Sequence, residues 1–186
     1  MRFSDIDWNR PWLARLRAIG EHLAAHDDWI VAASAIALEQ RLCNSFGQLI
    51  RFVPQHSLPA SAPYESHVAA TGQVPTRDNL HDFFNALVWL HFPLTKRTLN
   101  RLQVEALDQS RSNHTDEDLR HKRGPQRDAA TLFDENAAIF LTYDASLLQA
   151  LREHDWASTL QLSSGAFFSQ VYVILFGHAQ IGRAHV

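Results

Sequence analysis

The segment Asn79 to His91 reads NLHDFFNALVWLH and is followed by Pro93, and no other stretch of the chain limits the fold so tightly. It holds no glycine and no internal proline, and Phe83, Phe84, Leu87, Val88 and Leu90 cover most of a helical circumference. A helix that is apolar nearly all round must be enclosed by the rest of the protein. Yet the same helix carries His81, Asp82 and Asn85, with Asp78 at its entry, at positions i, i+3, i+4 and i+7, which share one side. Burying an unpaired carboxylate is costly, so this polar stripe needs partners. Arg77, Arg127, Asp128, Asp134, Glu135 and His178 are the candidates.

The remaining segments supply what surrounds that helix. Leu94 to Leu107 reads as a second helix after the break at Pro93, and Trp29 to Leu42 as a buried one. Near the start, Asn9 as cap and Pro11 in the first turn open an amphipathic helix carrying Trp12, Leu13, Leu16, Ile19 and Leu23. Arg51 to Asp78 holds four prolines and Gly72, which predicts irregular chain with short strands around Arg51 to Val53. Ser110 to Asp128 is polar and predicts an exposed loop. Thr131 to Thr142 shows two β-prone runs about Glu135-Asn136 and predicts a β-hairpin. Asp144 or Ser146 caps a helix running to Asp155, and Ala166 to Ala179 reads as one apolar helix. Strand-helix alternation is missing, so the expected class is α+β, predominantly α-helical, in a single domain over Asp5 to Ala179 with one small β-hairpin.

Composition narrows the function classes. The chain has 186 residues and a net charge of −3, and its pI near 6.4 offers no general attraction to phosphate backbones. A single cysteine, Cys43, excludes an internal disulfide and points to a reducing cytoplasm. No apolar run approaches the ~20 residues that span a bilayer, and no basic-then-apolar leader opens the sequence, so neither a membrane nor nucleic acid is expected as a partner. The last six residues, Ile181 to Val186, read IGRAHV, one translated frame of a common short-read sequencing adapter. The expectation is that authentic sequence stops near Ala179 and that the natural chain is longer.

The segment TGQVPTRDNLHDFFNALVWLHFPLTKRTLNRLQ, with GPQRDAATLFDENAA, FGHA and the IDWNRPW start, resembles the bacterial family named domain of unknown function 3025. The resemblance runs over Asp5 to Ala179 and implies a bacterial protein, but it brings no reaction. One departure is Ala137, where such proteins often carry glycine.

Two readings of the polar residues follow. In the first, Asp78, Asn85, Arg127, Asp128, Asp134 and Asn136 form a binding or structural network, in which Arg127 can pair with a carboxylate such as Asp82. The protein is then a non-catalytic binding or structural module, with the Ser110 to Arg123 loop as its contact for a protein partner. In the second, His81 and Asp82 hold a divalent metal and Glu135 or His178 acts as general base, giving a metal-dependent hydrolase. No nucleophile elbow and no glycine-rich phosphate loop occurs.

Overall fold

The computed structural model describes residues 3–113, 124–161 and 169–183. The fold is α+β and mainly helical, with two small sheets of two strands each among these residues. None of their helices is long and apolar enough to cross a membrane.

Short 3-10 turns at Phe3–Asp5 and Pro11–Leu13 lead into α1 (Arg17–Ala24). The amphipathic pattern there is real, but the helix starts later than the cap at Asn9 predicts, because the Asn9 Oδ1 accepts from Arg17 Nη1 at 3.1 Å rather than capping a first turn. Next, α2 (Trp29–Glu39) is capped by Asp28, whose carboxylate accepts from the Val31 amide at 3.1 Å. The proline-rich segment proves more regular than expected. It forms β1 (Arg51–Pro54), α3 (Tyr64–Thr71) and β2 (Gln73–Thr76), with β1 and β2 paired in parallel, Arg51 opposite Gln73. Parallel neighbours need a crossover, and α3 supplies it. Gly72 ends α3 in the left-handed region at φ 70°, and a Cβ there would fall 2.2 Å from the Leu49 carbonyl oxygen.

The anchor is α4 (Leu80–His91), capped by Asn79, whose side chain accepts from the Asp82 amide at 2.8 Å. Phe83, Phe84, Ala86, Leu87 and Val88 lose all solvent contact. The Phe83 ring stacks on Phe3 with centroids 4.5 Å apart and meets Trp29 edge-on at 5.1 Å. From Pro93 the chain turns into α5 (Pro93–Asn113), which packs on α3 and on α6 (Pro125–Asn136).

Here the structure departs from the hairpin expectation. Gly124-Pro125 opens a helix, proline at its first position, and that start carries Thr131 to Asn136 along as helical turns. Only the second arm is extended, as β3 (Ala138–Thr142), and its antiparallel partner is β4 (Val171–Leu175), far along the chain, with Ala138 opposite Leu175. The run VYVIL is β-branched and aromatic, which favours strand over the helix expected for Ala166 to Ala179. Between them lie α7 (Ala145–Arg152), capped by Asp144, and α8 (Trp156–Gln161). After β4, Phe176 is wholly buried, and α9 (His178–Arg183) seats against α4 and α6 with Ile181 fully enclosed. The expected Ser110 to Asp128 loop is helical at both ends, in α5 and α6. Its middle, 114–123, lies outside the described residues, and so does most of the expected partner contact.

Candidate functional site

The polar stripe of α4 finds its first partner locally. Asp82, buried, accepts from the Arg77 backbone amide at 2.7 Å and from the Arg77 guanidinium through both oxygens, Nε at 3.0 Å and Nη2 at 3.1 Å. A planar fork matched to a carboxylate is a strong pairing, and it raises the Arg77 pKa further. The Arg127 to Asp82 pair expected from sequence is therefore replaced by Arg77, five residues away. Asp78 turns to the other side, where it accepts from the Trp29 indole at 2.8 Å.

The second partner is a lysine. Lys96 on α5 is buried, and its Nζ donates to Asn85 Oδ1 at 2.8 Å and to the two Asp134 oxygens at 2.7 and 2.8 Å. An ammonium has three protons to give, and three acceptor atoms take them. The same Nζ lies 5.4 Å from the Trp89 ring centre. Asp134 also offers its backbone carbonyl to His178 Nδ1 at 2.9 Å. A carbonyl only accepts, so Nδ1 carries the proton, and in the neutral ring Nε2 holds the lone pair. Burial, with the Lys96 charge nearby, lowers the His178 pKa to about 3 and keeps that ring neutral. Its Nε2 faces His81 Nε2 at 3.2 Å, so His81 supplies the shared proton from a half-exposed position.

The third wall is the start of α3. Asn44 holds that helix from behind, donating to the Val68 and Ala69 carbonyls at 2.8 and 2.9 Å. At the front, Asn100 donates to the Glu65 carbonyl at 2.9 Å and to its carboxylate at 2.6 Å. Desolvation nevertheless outweighs that hydrogen bond and raises the Glu65 pKa. Tyr64 is pushed well above its usual value, by burial first and then by the Glu65, Asp134 and Asp82 charges.

These walls enclose a cavity of about 310 Å³, near the lower limit of ligand pockets in proteins. Of the residues expected from sequence, it gathers His81, Asp82, Asn85, Asp134, Glu135 and His178. Asp78, Arg127, Asp128 and Asn136 do not line it. Arg127 instead contributes its charge near Glu65, and the Asn136 backbone lies against Gly177, where a Cβ would come within 2.5 Å. Sequence reasoning missed Lys96, Tyr64, Glu65 and Gln103. A signal existed on α5, because Lys96, Leu99, Asn100, Gln103 and Ala106 repeat at three- and four-residue spacing and are all buried. Polar residues in such a stripe mark a buried polar face.

Glu135 stands apart from the rest. It lines the cavity, and its carboxylate has no hydrogen-bond or ion-pair partner among the described residues. His81 Nε2 lies 4.0 Å from Asp82 Oδ1, which already accepts from Arg77 Nη2. Among the described residues no group of three or more His, Cys, Asp or Glu side chains is arranged around a common metal position. A larger hollow of about 580 Å³ opens beside β3 and β4, but its one charged residue, Asp144, is engaged in capping α7.

Residues 50–185 match the family described as Protein of unknown function (DUF3025). The chain belongs to it. No curated protein and no solved structure matches the chain. The DUF3025 span takes in every residue that lines the cavity. Within it, Ala137 has φ −72° and ψ 141°, ordinary extended backbone, so this DUF3025 chain has no conformational need for glycine after Asn136.

Proposed function

We propose that this DUF3025 chain is a non-catalytic binding module whose cavity takes a small polar ligand carrying positive charge. One observation carries the reading: Arg77 and Lys96 are committed to Asp82 and Asp134, while Glu135 lines the same cavity with no partner among the described residues. A cation with hydrogen-bond donors would complete that carboxylate, and the self-compensated pairs serve as a rigid frame. Calorimetric titration with putrescine and L-arginine, beside phosphate and citrate, tests it. Saturable amine binding, weakened about tenfold in Glu135→Gln, is expected, since tenfold corresponds to ~1.4 kcal/mol, the scale of one charge-assisted hydrogen bond. Preference for the anions, or indifference to Glu135→Gln, overturns the reading.

A second reading is a metal-dependent hydrolase, favoured by the His81 and His178 rings meeting in the cavity that Glu135 also lines. In it His81 and Asp82 hold the metal and Glu135 is the general base. His178 is the poorer base of the two, because a ring held neutral down to about pH 3 takes up a proton reluctantly. Hydrolysis of simple esters and phosphodiesters by metal-loaded protein, abolished in Glu135→Gln, distinguishes this from ligand binding alone. Under either reading a bacterial cytoplasm is the setting we propose, in keeping with the single free thiol at Cys43.

A further inference from the structure

The contact between His81 and His178 is the feature least explained by a structural frame. The two Nε2 atoms lie 3.2 Å apart with the rings edge-on, centroids 4.5 Å apart and 71° between planes, so the two ring nitrogens meet directly. Two imidazoles bound to a tetrahedral ion at ~2.0–2.1 Å place their nitrogens about 3.3 Å apart. The separation observed is thus the bite of such an ion as much as the length of a hydrogen bond.

The surroundings prepare the same role. His178 gives its Nδ1 proton to the Asp134 carbonyl, which fixes the ring and aims the Nε2 lone pair at His81, the arrangement by which an outer hydrogen bond orients a metal-binding histidine. His178 sits on α9 and His81 on α4, two helices packed on each other, so the pair is preorganised. His81 is half-exposed, which leaves a path from solvent to its ring. The adjoining cavity is also lined by Glu135, a carboxylate that no described residue pairs, while the Asp134 charge there is balanced by Lys96.

We propose that His81 and His178 form a two-histidine site for a divalent transition ion of the zinc, cobalt or nickel type, with water completing the coordination shell. It deepens the reading of the cavity as a receptor for cations and rests on it. The ligand pair differs from His81 with Asp82, because the Asp82 oxygens are held by the Arg77 guanidinium, whereas the His178 lone pair meets only the exchangeable Nε2 proton of His81, which passes to His81 Nδ1 or to solvent when an ion takes its place.

The test is titration of metal-stripped protein with cobalt(II), read by its visible ligand-field absorption and by calorimetry. The surface rings His22 and His26, with centroids 4.7 Å apart, are a competing histidine pair, so a His22→Ala/His26→Ala variant is titrated in parallel. One saturable ion per chain is expected, retained in that double variant and weakened at least tenfold in His81→Ala and in His178→Asn. Should His178→Asn fail to fold, His81→Ala at its half-exposed position carries the test, with circular dichroism confirming the fold. No cobalt spectrum in the wild type, an unchanged affinity in His81→Ala, or loss of binding in the His22→Ala/His26→Ala variant overturns the site. Amine binding retained where cobalt fails would overturn this inference alone. Loss of both would overturn the cavity reading with it.

Discussion

The surroundings of α4 and the β3–β4 ribbon treat apolar side chains in opposite ways. Around α4 large side chains such as Phe83, Phe84 and Leu87 are sealed from solvent, whereas on the ribbon Phe140, Leu141 and Tyr172 are 39 to 56% exposed. Each sealed side chain contributes about 1.5–3 kcal/mol. Apolar composition alone therefore does not say where stability resides. The cohesive region is also the one that holds buried polar groups: the charged Asp82 and Lys96 and the neutral His178 all lie against α4 or its immediate neighbours. Chemistry and cohesion share the same helix, and the ribbon joins them through Phe176, the Gly177 contact with α6 and the packing of β4 on the Pro11–Leu13 turn.

The largest expected effect on this contrast is Phe84→Ala, which should cost about 3–5 kcal/mol in urea unfolding by opening a cavity in the sealed region. Lys96→Met should come next at about 3 kcal/mol, because Asp134 and Asn85 are left buried without their donor; adding Asp134→Leu should recover much of the loss, and a double variant no better than the single would show that the pair is not the cause. Gly177→Ala should cost about 1–3 kcal/mol, since a Cβ there would sit 2.5 Å from the α6 backbone, and thermal denaturation measures whether the ribbon is held by that contact.

Glu65→Gln is a pH-dependent case. Burial raises the carboxyl pKa in the folded state, so its contribution is fully present below the unfolded value and is lost as pH rises through the folded one. The variant should match the wild type in mild acid and be the more stable of the two near neutral pH, as urea midpoints across that range would show. The smallest effect belongs to the ribbon: Leu141→Ser should change stability by no more than about 0.5 kcal/mol, and a larger loss would mean that the exposed face is covered in solution.

How far the sequence reveals all this depends on the range of the interaction. The α4 helix, its end before Pro93 and its buried apolar side chains follow from spacing that local physics decides, as does the Asp144 cap of α7. The joining of His81 to His178, and of Asn85 to Asp134 through Lys96, depends on how separate helices dock, which periodicity does not encode. The hairpin expectation erred for a related reason. The run AATLF is tolerable as strand or helix, and the choice is made by Gly124-Pro125 at one end and by a partner strand at Val171–Leu175 at the other. Helix α3 was hidden because prolines on both sides dominate the local reading, although Pro63 stands just before its first turn, where proline costs it no hydrogen bond.

The hydrogen bonds around the cavity form a ladder of sequence distance. Asp82 meets Arg77 across 5 residues, Lys96 meets Asn85 across 11 and Asp134 across 38, and His81 meets His178 across 97. Closing a longer loop costs more chain entropy, so these contacts have a natural order of assembly. As the chain emerges from the ribosome, the Arg77 clamp can close first and the histidine pair last. A ligand that needs both rings can then bind only after folding has brought the two distant segments together, which makes the cavity a report on the completeness of the fold.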